Sequence, residues 1–323
     1  MFFNPDLFNI KTEIEFEDLA LEIFDFQKSN CAIYNDYVRL LGREIPRSLS
    51  EIPFLPIQFF KSHEVLSKPK TGNETFFLSS GTGSIGRSKH FVSDVSIYEQ
   101  SFLKAYELQF SDPENQVILA LLPNYIEQGN SSLVYMVNDL INRTKNELSG
   151  FLLNDFDGIR ERYKSALSSG KKVVIFGVSY VLLDLAEQGF DLSKAIIIET
   201  GGMKGRREEL SKTELHERIK NGLGVDYVSS EYGMTELLSQ AYSEKNGVFQ
   251  TPPWMKVIFS DVYDPLTIVS GASSSIINVI DLANVNSCSF IQTQDLGRKV
   301  ENGFVLDGRL DLSDIRGCNL MVD

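Results

Sequence analysis

Cysteine is scarce in this 323-residue chain: Cys31, Cys288 and Cys318 are an odd number, far apart, with no C-x-x-C spacing. That excludes a disulfide framework and a cysteine-based zinc site, and it fits a reducing compartment. Basic charge is in deficit too, with 31 Lys and Arg against 44 Asp and Glu and a net charge of −13. No Lys/Arg cluster interrupts that acidity, so neither a nucleic-acid binder nor a protein drawn to an anionic membrane surface is expected. Long apolar runs are missing as well. The greasiest stretch, Val173 to Leu185, is broken by Gly177, Ser179 and Asp184 and is too short to span a bilayer. The first residues lack a basic n-region and carry acids early, unlike a signal peptide. A soluble, cytoplasmic protein without membrane insertion is expected.

What is present suits a globular chain. Hydrophobic residues make up 42% and aromatics 11%, enough for a sizeable core in one large domain or two modest ones. Residues 12–42 carry helical periodicity (Leu19, Leu21, Ile23, Phe24 and Phe26, then Val38, Leu40 and Leu41 before Gly42). Pro53 and Pro56 forbid a helix interior in Ile52 to Val65, which reads as extended. From Glu74 the texture is strand, glycine-rich turn, strand, and 94–110 is helical again. Val117 to Pro123 and Lys172 to Val178 are continuous apolar runs, the pattern of parallel strands covered on both faces. Helical stretches at 130–142, 158–169 and 179–188 separate them, and Ala195 to Gly202 is a further strand. This alternation predicts an α/β architecture. Beyond Thr251 short β segments are separated by turn residues.

Four segments carry potential chemistry. In Ser79-Ser80-Gly81-Thr82-Gly83-Ser84-Ile85-Gly86-Arg87-Ser88-Lys89, glycines and hydroxyls let backbone N–H groups approach a polyphosphate. Arg87 and Lys89 can add positive charge. A Walker A pattern is absent, and the same residues also make a plain connector. In Tyr232-Gly233-Met234-Thr235-Glu236 a ring, a hydroxyl and a carboxylate lie within five residues. They suit base stacking, phosphate contact and Mg²⁺ binding, or simply a polar turn after a strand. Asp295, in Thr293-Gln294-Asp295-Leu296-Gly297-Arg298, can accept both hydroxyls of a ribose or end a strand in an Asp-x-Gly turn. The fourth segment runs from Gly308 and Arg309 to Arg316, Gly317 and Cys318. Of the remaining polar side chains, His90 follows the loop and suits a phosphate or carboxylate contact or a strand position. His63 and His216 read as structural or exposed, and Cys31 and Cys288 as packing. Trp254 suits either a pocket wall or the core.

These four segments, in this order from Ser79 to Cys318, resemble the motifs of the adenylate-forming superfamily. A narrower resemblance fits better. IPFLPIQFFKSHEV, SSGTGSIGRSKHFVSD, ETGGMKGRREEL, TPPWMK and GRLDLSDIRGC are similar to the acyl-protein synthetase family, the LuxE-type long-chain-fatty-acid–protein ligases. The similarity runs from about residue 50 to the end, and it implies an N-terminal helical segment (1–50) packed on a main domain (51–323). The fold it implies is α/β, an adenylate-forming N-domain of alternating βα units without the usual C-terminal lid.

The function it implies is ATP- and Mg²⁺-dependent activation of a fatty acid or other carboxylic acid, followed by transfer to a cysteine. Acyl reductase or acyltransferase subunits are the implied partners. By the same resemblance, the loop residues Ser79, Ser80, Gly81, Thr82, Gly83, Ser84, Gly86, Arg87 and Lys89 would hold phosphates. Tyr232 and Gly233 would lie along adenine, Thr235 would touch phosphate, and Glu236 would hold Mg²⁺. Asp295 and Arg309 would bind ribose, Thr200, Gly201 and Gly202 would line the pocket, and Cys318 would accept the acyl group. The loop departs from the family's pattern at Gly83, where a second threonine is usual, so either Arg87 or Lys89 could face phosphate.

Overall fold

The computed structural model describes residues 6–70, 72, 74–79, 86–122, 130–201 and 210–310, and element labels follow chain order over these residues. Thr12 opens α1 (Glu13–Asn30) with a reciprocal capping box to Glu15. The expected single helix over 12–42 is two. Cys31 adopts an extended backbone (φ −99°, ψ 103°) between α1 and α2 (Ala32–Leu41). The Asn30 side chain bonds back to the Phe26 carbonyl at 2.7 Å and competes with helix continuation.

The proline-rich stretch is only partly extended. β1 (Leu55–Pro56) pairs with a sheet edge, and α3 (Phe59–Ser62) is a single helical turn once the prolines are passed. β2 (Thr75–Leu78) and β3 (Lys89–Val92) form an antiparallel pair around the glycine-rich loop, with Leu78 opposite Lys89. The expected helix at 94–110 is α4 (Val95–Phe110), capped by Asp94.

Next come β4 (Gln116–Leu121), α5 (Ser132–Thr144), β5 (Gly150–Phe151), α6 (Phe156–Ser168), β6 (Lys172–Gly177), α7 (Ser179–Ala186) and β7 (Ala195–Glu199). α8 (Lys212–Leu223), which the apolar pattern did not announce, leads to β8 (Ser229–Tyr232) and β9 (Ala241–Ser243). These strands make one sheet, ordered β5-β4-β6-β7-β8-β9 and parallel except for the last pair. Every residue of β4 is buried, which accounts for its unbroken apolar run.

The remaining strands are β10 (Met255–Ser260), β11 (Ile268–Val269), β12 (Ser275–Asp281), β13 (Phe290–Val300) and β14 (Gly303–Arg309). Together with β1 they form a second sheet, ordered β1-β13-β12-β10-β11 with β14 on β13. β13 runs straight through Asp295 to Val300, so Thr293–Arg298 is not a strand-ending turn. Gly297 permits this: a Cβ there would lie 2.4 Å from the Val305 carbonyl, where the β13–β14 register shifts. α1 and α2 lie against this sheet. Gln27 bonds to the Asn284 and Val285 carbonyls (both 3.0 Å) and to Ser289, and Tyr34 stacks on Phe290 at 5.9 Å. Within the described residues, no helix is long and apolar enough to cross a membrane.

Candidate functional site

Parallel pairing brings the C-terminal ends of β6, β7 and β8 to one level, since Gly177 pairs with Glu199 and Glu199 with Ser230. Chains leaving a parallel sheet at that edge open a crevice, the usual ligand position in such sheets. Here the crevice is a cleft of about 610 Å³, walled on its far side by Asp295, Leu306, Gly308 and Arg309 of the second sheet.

Seven of the candidate residues line this cleft: Arg87, Gly201, Tyr232, Gly233, Thr235, Asp295 and Arg309. Thr200 lines it as well. The Tyr232 hydroxyl donates to Asp295 Oδ2 at 3.0 Å, and Arg309 Nε lies 4.0 Å from the other carboxylate oxygen. Burial pushes the Asp295 carboxyl up, while Arg309 and the Tyr232 hydroxyl pull it back. Tyr232 itself is buried between Phe249 (5.9 Å) and Phe304 (5.5 Å), so its ring is fixed before any ligand arrives.

The segment carrying Thr235 and Glu236 is pinned from three directions. His90 Nδ1 is 2.8 Å from the Thr235 carbonyl, and Asn284 donates its amide to the Glu236 carbonyl at 2.7 Å. Asp281 accepts the N–H groups of Leu238 (2.7 Å) and Ser239 (2.9 Å). The Glu236 side chain is buried. Burial pushes its carboxyl up, offset by the Ser88 hydroxyl and by the charges of Arg309 and Lys61.

Other candidates lie apart. Lys89 does not line the cleft: its ammonium sits over the rings of Phe76 (4.1 Å) and Phe91 (4.4 Å). Of the basic pair, Arg87 is the one on the cleft, with its Nε donating to the Ser79 carbonyl at 2.5 Å. The Ser79 hydroxyl accepts from Ser88 N–H at 2.9 Å, closing the loop's base, and Gly86 is exposed with φ +85°. Ser80, Gly81, Thr82, Gly83, Ser84, Gly202 and Cys318 lie outside the described residues. Trp254 is a core residue, donating to Ser101 (2.9 Å) and Ser239 (3.1 Å). Cys31 and Cys288 are buried free thiols whose pKa burial raises.

Two cleft residues escaped the motif reading. Glu199, at the end of β7, accepts from the Ser179 hydroxyl (2.5 Å), Gly201 N–H (2.7 Å) and the Ser230 hydroxyl (3.3 Å), with Lys212 at 3.6 Å. His216, expected to be structural or exposed, sits 3.8 Å from the same carboxylate. Burial alone would raise the Glu199 pKa, but nearby His216 and Lys212 and the Ser179 hydroxyl outweigh it and hold the carboxyl at about 2. Glu231 is the other. It points to the opposite face of β8 from Ser230 and Tyr232, and burial together with Glu199 pushes its carboxyl up to about 8 against the pull of Lys212. For Glu199 the signal available in sequence was the acid itself, placed at the end of a strand too apolar to leave it in water.

No protein-family model and no curated protein matches the chain. Solved structures do. ATP-bound MatB from Rhodopseudomonas palustris matches with TM-score 0.54 at 17% identity, over 72% of this chain and 47% of that one. The chain thus spans about half the length of that structure. An open conformation of 2-hydroxyisobutyryl-CoA ligase in complex with 2-HIB-AMP and CoA matches with TM-score 0.63 at 12% identity, over 96% of this chain and 75% of that one. A fatty acyl-adenylate ligase from L. pneumophila, in complex with acyl adenylate and pyrophosphate, matches with TM-score 0.52 at 14% identity, over 79% and 54%. At these identities the likeness is one of fold: the chain has the α/β fold of an adenylate-forming enzyme N-domain.

Proposed function

We propose that this protein activates a carboxylic acid with ATP as an acyl-adenylate and then loads the acyl group on Cys318. The observation that carries this reading is the gathering of Arg87, Tyr232, Thr235, Asp295 and Arg309 around one cleft at the sheet's C-terminal edge. Asp295, tied to Tyr232 and Arg309, is set to accept two ribose hydroxyls in parallel. Arg87 supplies positive charge for departing pyrophosphate, beside the phosphate loop from Ser79 to Gly86. Gly201 and Gly233 offer backbone to the nucleotide, and Arg87 rather than Lys89 is the base that serves the cleft.

Glu236 does not line the cleft, but next to Thr235 it is the carboxylate that would hold a magnesium ion. Its carboxyl is buried beside the Ser88 hydroxyl, where a divalent cation would offset the desolvation that raises its pKa. Magnesium is commonly held by one or two carboxylates, with substrate phosphates and water completing the octahedron. When bound it would neutralise charge at the crowded phosphorus. The protein's own contribution is to hold Thr235 and Glu236 rigidly, through His90, Asn284 and Asp281, so that little reorganisation accompanies the reaction.

A carboxylate is a poor electrophile, and joining it to AMP supplies a leaving group. The Cys318 thiolate then attacks the acyl carbon, a thioester forms and AMP departs. The resemblance makes the acid a fatty acid, and a reductase or acyltransferase subunit would collect it.

The test is intact-protein mass after incubation with ATP, Mg²⁺ and carboxylic acids of graded length. A gain of one acyl group, reversed by neutral hydroxylamine and absent in Cys318→Ala, is expected. Glu236→Ala should abolish both acylation and ATP–pyrophosphate exchange, whereas Cys318→Ala should keep the exchange. A stable acyl adduct on Cys318→Ala would refute the acceptor assignment. Exchange without any adduct would point to a small thiol, such as coenzyme A, as acceptor.

A further inference from the structure

The inner end of the cleft is not apolar. Gly233 separates two side chains there: a Cβ at Gly233 would lie 2.2 Å from Glu231 Oε1 and 3.3 Å from Gln240 Cγ. Glu231 and Gln240 therefore share one corner, and both line the cleft. Strand alternation puts this corner on the face of β8 away from Ser230 and Tyr232. It thus lies off the side where Tyr232 meets Asp295. Tyr98 and Met136, from α4 and α5, line the same cleft.

Gln240 is 3% exposed, and its Oε1 has no hydrogen-bond partner among the described residues. Nor does any described residue hydrogen-bond to the Glu231 carboxyl. Tyr98, which could have served, donates its hydroxyl instead to the Ser132 carbonyl at 3.0 Å. Leaving Gln240 Oε1 unpaired out of water costs about 1–3 kcal/mol, whereas Glu231 is only half-buried at the cleft. A purely hydrocarbon ligand would strip water from Glu231 without replacing its bonds and would leave Gln240 Oε1 unpaired.

We infer that the acid taken by this cleft carries a hydrogen-bond-donating substituent, a hydroxyl or an amine, that meets Glu231 and Gln240. The inference rests on the adenylation reading and narrows its substrate class from an unsubstituted fatty acid to a hydroxy- or amino-substituted one. With its pKa pushed up to about 8, Glu231 keeps its proton at neutral pH and can both donate to and accept from a hydroxyl. An incoming ammonium would instead draw the proton off and bind the carboxylate. Gln240 Oε1 accepts from either. A site built around such bonds rejects the analogue lacking the polar group far more strongly than an apolar pocket rejects an extra one.

The test is ATP–pyrophosphate exchange by the full chain with chain-matched sets of unsubstituted, hydroxylated and amino carboxylic acids. A substituted acid is expected to exceed its unsubstituted counterpart in kcat/KM by tenfold or more. Glu231→Leu should erase that preference and raise exchange with the unsubstituted acid. If Glu231→Leu loses its fold by circular dichroism, Gln240→Leu should still reduce the preference severalfold. A hydroxyl preference would mean that the protonated carboxyl is the bound form, and an amine preference the ionised one. Exchange that is equal or greater with unsubstituted acids overturns the inference and leaves the adenylation reading standing. Exchange with no acid overturns the adenylation reading, and this inference with it.

Discussion

His90 offers the most direct test of how the Thr235–Glu236 segment is held. The ring is buried on β3, edge-on to Phe60 at 5.5 Å, with Nδ1 on the Thr235 carbonyl and Nε2 without a partner among the described residues. Because the partner is a carbonyl, Nδ1 carries the hydrogen and Nε2 is a bare acceptor in an apolar setting. Burial lowers the ring's pKa to about 4 from 6.5, the Thr235 bond only partly opposing it. Between those values the unfolded chain binds a proton that the folded chain refuses, so stability from this group rises with pH and is lost as pH falls. The loss works out at about 2 kcal/mol by pH 5 and about 3 kcal/mol by pH 4, and is negligible at pH 7.5.

His90→Asn keeps an amide N–H for Thr235 but cannot titrate. At pH 7.5 it should be less stable than the parent by about 2 kcal/mol, for the packing lost around Phe60. That gap should close as pH falls and vanish or reverse near pH 4. Other titrating groups are common to both proteins and cancel in the difference. Urea midpoints followed by Trp254 fluorescence and far-ultraviolet circular dichroism give the comparison, and agreement of the two probes checks that unfolding is cooperative. A gap that stays constant or widens towards pH 4 would refute the reasoning, because it would mean that a negative partner or solvent accommodates the imidazolium.

The acid and thiol chemistry is tested by Cys318→Ala and Glu236→Ala in mass and exchange measurements, and the substrate class by Glu231→Leu with matched acids. Glu199→Gln should cost about 3 kcal/mol at neutral pH, since the native carboxyl is held at about 2 against 4.5. A depressed carboxyl stabilises above its unfolded pKa, so the gap between parent and variant should shrink as pH drops from 4.5 towards 2. Equal gaps at pH 7 and pH 3 would count against the Ser179–Lys212–His216 cage. Gln27→Leu removes bonds to Asn284, Val285 and Ser289. It should cost about 2–4 kcal/mol in urea unfolding, because buried carbonyls and an N–H are stranded, and a cost under about 0.5 kcal/mol would mean that water replaces the amide.

Periodicity carried most of the fold. The unbroken runs at β4 and β6 read directly as doubly covered strands because every turn of the backbone there meets core on both sides. α8 escaped because only Leu215, Ile219 and Leu223 are buried, a single stripe on a helix otherwise charged. The break at Cys31 escaped for a different reason: both flanking helices have good periodicity, and a one-residue kink shifts phase without changing composition. The continuity of β13 could not be seen either. Asp-x-Gly is a turn signal in an isolated chain, and only the close approach of Val305 to Gly297 gives that glycine its other meaning.

The site was legible where a motif is local and illegible where it depends on pairing. Tyr232, Thr235 and Glu236 lie within one short segment, so their association needs no tertiary knowledge. Lys89 and Arg87 show the limit of that logic. They are two residues apart and chemically alike, yet Lys89 begins β3 and lies across the rings of Phe76 and Phe91. Arg87, still in the loop, is left on the cleft. Glu199 and Glu231 show the converse. They are thirty-two positions apart in sequence, and only the parallel pairing of β7 with β8 sets their charges against each other. One is caged by donors and stays ionised, whereas the other has none among the described residues and keeps its proton. Two carboxyls driven in opposite directions at one cleft are a property of strand register, and register is what a single sequence leaves unsaid.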